Sequence, residues 1–185
     1  MAIIGFTGKR GSGKDTASKF LETMYGFRML DFTRDVLAPI LANRGLPVTR
    51  ENLIDIAMDG RKKSHNGVWA DKLSVIIKRN SVHDFVISGI RFPEEVGVFR
   101  RNFGEGFRLV AIVCDDRHRY ERVMKRGTKG EAGLSFDGFL QIEKRPTERV
   151  IAETMGIADF VIGNNGTIQD LYDGVSGILK ILKGR

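Results

Sequence analysis

Five short apolar runs constrain this chain more than any other feature. "AIIGF" (2–6), "FRML" (27–30), "DFVIS" (84–88), "FRLVAIVC" (107–114) and "DFVIG" (159–163) are rich in β-branched and aromatic residues and lack a clean polar–apolar alternation. A strand with one solvated face alternates with period two, whereas a strand buried on both faces reads as a continuous apolar run. Helix-period stretches separate the five. Ala17, Phe20, Leu21 and Met24 share a face of 15–24, and Gly26 follows as a stop. Val36, Leu37, Ile40 and Leu41 precede Gly45. Leu53, Ile54 and Ala57 follow a Thr49 cap. Trp69, Leu73, Ile76 and Ile77 mark a further helix, with Trp69 expected to pack a helix face. Pro93 opens a helix with Glu94 and Glu95 in its first turn. Tyr120, Val123 and Met124 mark the next. Phe139 and Ile142 follow a Ser135 cap, and Leu171, Val175, Ile178 and Leu182 follow the turn "NNGT". Strands alternating with helices predict a parallel sheet covered on both faces, with ligands bound at the carboxyl ends of the strands. The loops that begin at Thr7, Asp31, Ser88, Asp115 and Asn164 all belong to that edge.

The chain has 185 residues, of which 42% are hydrophobic. It contains no repeat and no linker, so a single domain over 1–185 is expected. A formal charge of +7 favours anionic partners, nucleotides or nucleic acid among them. Cys114 is the only cysteine, which excludes a disulfide framework or thiolate metal cluster and suits a reducing, cytoplasmic setting. No apolar run approaches about 18 residues, so no membrane span is expected. His65, His83 and His118 have no metal-ligand spacing.

The loop after the first strand, "TGKRGSGKDT" (7–16), carries the chemistry. Gly8-x-x-x-x-Gly13-Lys14 is a weak pattern in a chain with 22 glycines. Its context is what discriminates: it leaves an apolar strand and opens an amphipathic helix. Glycines at 8, 11 and 13 let successive N–H groups turn around an anion, and the helix N-terminus adds its dipole. Gly8, Lys9, Arg10, Gly11, Ser12, Gly13, Lys14, Asp15 and Thr16 are therefore expected at the phosphates of a nucleotide. The pattern ordinarily has serine or threonine where Asp15 stands. A carboxylate there either ligates magnesium as a hard oxygen or only complements the helix dipole.

"GKRGSGKDT" resembles the small P-loop kinases of nucleotide metabolism, where a Gly-Lys-Asp-Thr ending occurs in the deoxynucleoside monophosphate kinases. "VISGIRFPEEVGVFR" (86–100) is similar to the third-strand segment of dephospho-CoA kinase and of archaeal adenylate-kinase-related proteins. "RYERVMKRG" (119–127) is similar to the start of their lid, and "ADFVIGNNGT" (158–167) to their final strand and adenine-side loop. The resemblance spans the chain apart from about 43–80. It implies a three-layer α/β P-loop NTPase fold, with a five-stranded parallel sheet in order 2-3-1-4-5 and helices on both faces. It also implies an ATP–Mg²⁺ site, an acceptor-binding insertion at about 31–80 and a small lid at about 117–145, hinged on "GTKGEAG" (127–133). One departure stands out: the family usually has Asp-Gly after the third strand, and this chain has Ser88-Gly89. Asp15 is the candidate to compensate from the other side of the ion.

The resemblance further implies roles. Lys14, Arg122 and Arg126 neutralise the transferring phosphoryl group. Asn164, Asn165 and Gly166 lie beside the adenine. Arg34 and Arg91 clamp an acceptor phosphate, and Asp31 binds a sugar hydroxyl or acts as a base. Bland readings stand beside these: Asp31 as a helix cap, Arg91 paired with Glu94 or Glu95, and 117–126 as a solvated basic face. The expected activity is ATP–Mg²⁺-dependent phosphoryl transfer to a small nucleotide-like acceptor. A nucleoside or deoxynucleoside monophosphate comes first, with dephospho-CoA as the alternative. A P-loop ATPase acting on a macromolecule such as RNA is a further alternative, although no aromatic-interleaved basic platform accompanies it.

Overall fold

Four of the five strands present apolar side chains to two different cores, and this fixes the layering. In the computed structural model, which describes residues 1–127, 133–144 and 146–184, five parallel strands form one sheet in the order β2-β3-β1-β4-β5. They are β1 (Ile3–Thr7), β2 (Arg28–Asp31), β3 (Phe85–Ser88), β4 (Phe107–Val113) and β5 (Phe160–Gly163). Ile3, Phe85, Ile87, Phe107 and Leu109 pack on one face, whereas Ile4, Phe6, Val86, Val110 and Ile112 pack on the other. The register pairs Ile4 with Val86 and Phe6 with Val110, so residues of one parity stack across strands. Fully burying each such side chain contributes roughly 1.5–3 kcal/mol. β5 is an edge strand, and its Val161 is exposed.

Two helices cover the second core: α1 (Lys14–Tyr25) and α9 (Ile168–Lys183), through Ala17, Leu21, Leu171, Val175 and Leu179. The first core lies beneath α2 (Ala38–Asn43), α3 (Arg50–Lys63), α4 (Val68–Arg79) and α5 (Pro93–Phe103). After β4 come α6 (Asp116–Arg126), α7 (Phe136–Glu143) and α8 (Pro146–Gly156). Thr49 and Ser135 do cap their helices, accepting from the N–H groups of Asn52 and Gly138.

The structure adds two features to the sequence reading. A π-type turn over Thr33–Leu37 precedes α2 in place of a plain helical start. α8 occupies the stretch before β5, for which the strand and helix patterns above supply no element. Its buried Thr154 hydroxyl donates to the Arg91 carbonyl (2.7 Å), which joins α8 to the loop after β3. Among the described residues no helix is long and apolar enough to cross a membrane.

Candidate nucleotide site

All five strands end on one edge, at Thr7, Asp31, Ser88, Val113 and Gly163. The loop 8–13 leaves β1 there and enters α1 with Gly13 as N-cap, and no side chain caps the helix. A helix N-terminus without a side-chain cap is the arrangement that suits an anion. Gly11 and Gly13 have positive φ (78° and 103°). A Cβ on Gly11 would come 2.7 Å from the Arg119 carbonyl oxygen, and one on Gly13 would overlap the Asn164 amide. The tight cradle therefore needs glycine on both steric and conformational grounds. The Ser12 hydroxyl is buried in the loop and has no hydrogen-bond partner among the described residues.

Two side chains hold the cradle from behind. Asn164 is buried, and its Nδ2 donates to the Ser12 carbonyl (2.7 Å). Its side chain is committed to the loop, and this is a more specific role than the adenine-side position suggested by its sequence neighbourhood. Asn165 is exposed, and its Oδ1 accepts from the Asp115 N–H (2.8 Å), tying the loop after β5 to the loop after β4. Gly166 is exposed beside them. Arg119, 1% exposed, donates from Nη1 to the Arg10 carbonyl (3.0 Å) and from Nε to the Cys114 carbonyl (3.2 Å). Its Nη2 meets Asp116 at 2.5 Å and Glu143 at 3.0 Å. Burial acts to lower its pKa, but hydrogen bonds to Glu143 and Asp116 outweigh that and hold it above the ordinary arginine value. Lys9 pairs with the same Glu143 at 3.3 Å. Arg119 and Glu143 carry this loop without belonging to the loop motif. The sequence signal for Arg119 is its place four residues before the buried Val123, an arginine on the inward stripe of α6.

Asp15 and Ser88 meet directly: the Ser88 hydroxyl donates to Asp15 Oδ1 at 2.7 Å. The hydroxyl–carboxylate pair expected across this edge is present with its members exchanged. Asp31 is the register partner of Ser88, so Asp31, Ser88 and Asp15 follow one another along the strand ends. These are hard oxygen donors, and the set fits Mg²⁺, which takes one or two carboxylates together with phosphate oxygens and water.

At the end of β2, where an acceptor is expected, Asp31 Oδ1 accepts from the N–H groups of Thr33 (2.8 Å) and Arg34 (3.0 Å), so the carboxylate caps the following turn. The Arg34 fork is engaged twice by Asp35, at 3.1 and 2.8 Å, and its Nη2 donates to the Met29 carbonyl at 2.5 Å. The Asp35 partnership is the main cause of a pKa raised above the ordinary arginine value. Arg91 is exposed, and among the described residues its guanidinium has no ion-pair partner, since Glu95 is spent elsewhere. That buried carboxylate accepts from the Arg91 and Phe92 N–H groups and from Arg61, whose guanidinium lies 4.4 Å over the Phe92 ring. Burial pushes the Glu95 pKa up, against these hydrogen bonds. On α6, Arg122 is half-buried with Nη1 3.4 Å from Cys114 Sγ, and Arg126 is exposed. Of the suggested lid hinge 127–133, residues 128–132 lie outside the described residues.

A family model described as an AAA domain matches residues 4–145. The chain belongs to this AAA-domain family. The UPF0200 protein of Methanosarcina mazei is 30% identical over 179 residues, spanning 97% of this chain and 94% of that one. The UPF0200/UPF0201 protein of Archaeoglobus fulgidus is 32% identical over 183 residues, but the chain spans about half of its length (55%). Among solved structures, the shikimate kinase of Bacteroides thetaiotaomicron superposes with a TM-score of 0.61 at 11% identity, covering 98% of each chain. A gluconokinase of Sinorhizobium meliloti gives 0.60 at 12% identity, covering 99% of this chain and 96% of that one. At such identities the likeness is one of fold. This AAA-domain chain has the fold of the P-loop small-molecule kinases.

Proposed function

We propose that the protein is an ATP–Mg²⁺-dependent phosphotransferase acting on a small nucleotide-like acceptor. One observation carries the reading: an uncapped helix N-terminus entered through a glycine cradle, with Lys14 in its first turn, on the ligand-binding edge of a parallel sheet. Phosphoryl transfer asks mainly for positioning and charge neutralisation. Lys14 and the loop amides would hold the donor phosphates, Asp15 with Ser88 would hold the magnesium ion, and Arg122 and Arg126 would offset charge on the moving group. The bond from the γ-phosphorus to its bridging oxygen breaks as one to the acceptor oxygen forms. The kinase fold of the structural neighbours supports the class of reaction.

For the acceptor, a nucleoside or deoxynucleoside monophosphate needs cationic clamps, and the exposed Arg91 is available as one. A second reading, a hydroxyl acceptor as in dephospho-CoA kinase, is favoured by the engagement of the Arg34 fork with Asp35 and Met29. Asp31 then stands at the strand edge as the base, its Oδ2 taking no hydrogen bond among the described residues. A screen with ATP–Mg²⁺ against the ribo- and deoxyribonucleoside monophosphates, dephospho-CoA and added RNA tests the class. The expected result is ADP formation that depends on a small acceptor and is abolished in a folded Lys14→Ala variant. Turnover stimulated only by RNA, or undiminished in Lys14→Ala, refutes it. With the acceptor found, a monophosphate predicts a severe Arg34→Ala and an Asp31→Asn loss of about tenfold or less. A hydroxyl predicts the reverse, with Asp31→Asn costing roughly 10²–10⁴ in kcat.

A further inference from the structure

Arg119 is the largest fully buried side chain among the described residues, and it lies against the nucleotide loop rather than in the hydrophobic cores. A buried guanidinium carries five donors that must find acceptors. Here they reach three separate parts of the chain: the Arg10 carbonyl in the loop, the Cys114 carbonyl at the end of β4, and Glu143 on α7. The Phe139 ring, also on α7, lies 5.2 Å from the guanidinium carbon. From the other side, Gly11 is seated so close to the Arg119 backbone that no Cβ fits between them. Glu143 is itself almost fully buried and shares its charge between Arg119 and Lys9, and Lys9 keeps about a third of its side chain in solvent (32%). Because Arg119 contacts Glu143 directly, the loss of Lys9 from the cluster would not leave Glu143 without a cation.

We infer that Arg119 is the positioning residue of the donor-phosphate loop, and that through Glu143 it makes the shape of this loop depend on helix α7. It touches the loop by a backbone carbonyl on the outside of the cradle, so it acts through the loop rather than on phosphate. Lys9 is the exchangeable member: an anion in the cradle draws it from Glu143, while the Arg119–Glu143 strut stays in place. This inference rests on the nucleotide reading of the loop and adds the element that sets its geometry.

Arg119→Lys keeps the charge but cannot hold two carbonyls and Glu143 at once, because an ammonium lacks the planar fork. ATP–Mg²⁺ binding to the full chain is measured by titration calorimetry, together with the Michaelis constants for ATP and for acceptor. The expected result is ATP affinity weaker by about tenfold or more, with the acceptor constant within about twofold of wild type. A role limited to stability would lower the melting temperature and leave the ratio of the two constants unmoved, and that outcome overturns the inference. If Arg119→Lys does not fold, Phe139→Leu removes the supporting ring at unchanged charge. It is expected to weaken ATP by about two- to fivefold, and unaltered affinity there overturns the inference equally. A wild-type chain that binds no ATP would refute the nucleotide reading itself, and the inference with it. A wild type that binds, beside variants that bind as well, would overturn the inference alone.

Discussion

The contact between Ser88 and Asp15 shows how much a single exchange of residue types can preserve. A carboxylate on the strand and a hydroxyl on the loop, or the reverse, place the same two kinds of oxygen on the same edge, and the hydrogen bond of 2.7 Å keeps them together. Restoring the commoner arrangement therefore makes a sharp test. Asp15→Ser alone leaves two hydroxyls and should raise the magnesium concentration for half-maximal activity about tenfold. Ser88→Asp alone sets two carboxylates side by side and should be poorly active at low magnesium. The double variant should recover most of the loss. A magnesium titration of all four proteins decides it, and a double variant no better than the worse single one would show that Asp15 only complements the helix dipole.

At the scale of the element, helix ends carry both structure and site. α1 begins without a side-chain cap, whereas α9 begins with a reciprocal cap. The Thr167 hydroxyl accepts from the Asp170 N–H, and Asp170 accepts from the Thr167 N–H at 2.7 Å and from its hydroxyl at 2.8 Å. Those two bonds, the hydroxyl first, hold the Asp170 pKa below the ordinary value. A folded pKa below the unfolded one means that the unfolded chain binds more protons within that window, so stability rises with pH there. The contribution is fully present above about pH 4 and is lost as pH falls through the folded pKa. The melting temperature of Asp170→Asn should thus lie below that of wild type at pH 6 and converge with it as pH falls through the folded pKa, below the ordinary carboxylate range. A gap independent of pH would show that the charge is not involved. α8 is the element for which sequence patterning provided nothing, although Pro146 followed by Glu148 is a start signal of the kind that located α5.

Across the whole molecule, the insertion between β2 and β3 is tied to the rest by packing that local patterns do not show. The Trp69 indole lies over Gly60 of α3 and donates to the Ala57 carbonyl at 3.1 Å, and Arg61 reaches the buried Glu95 at 3.1 Å. A Cβ on Gly60 would overlap the Trp69 ring. Gly60→Ala gains helix propensity, worth about 1 kcal/mol, but pushes α3 from α4 against a close-packed ring, at a cost of about 1–3 kcal/mol. The net expectation is a fall in melting temperature of a few degrees, about 2–6 °C, and a larger change in the acceptor constant than in the ATP constant. A higher melting temperature would mean that the helices part freely and that this contact does not fix the arm.

The sequence by itself determined the five strands, the doubly covered parallel sheet and the loop after β1, because apolar periodicity and a glycine cradle between strand and helix are local signals. It also located Asp15 and Ser88 as departures to be explained together. Only the tertiary structure decided what lies behind the loop and which arginines are committed. Arg34 and Arg91 look alike in sequence, yet Asp35 and the Met29 carbonyl engage one fork while the other has no ion-pair partner among the described residues. Arg119 and Arg126 lie on one face of α6, yet the first is buried beneath the loop and the second is exposed. The partners that make these differences are the Arg10 carbonyl, Asn164 and Glu143, and they come from chain segments far apart. No spacing rule along one segment encodes them, because the desolvation and hydrogen bonding that fix a buried charge arise only when the sheet edge is assembled.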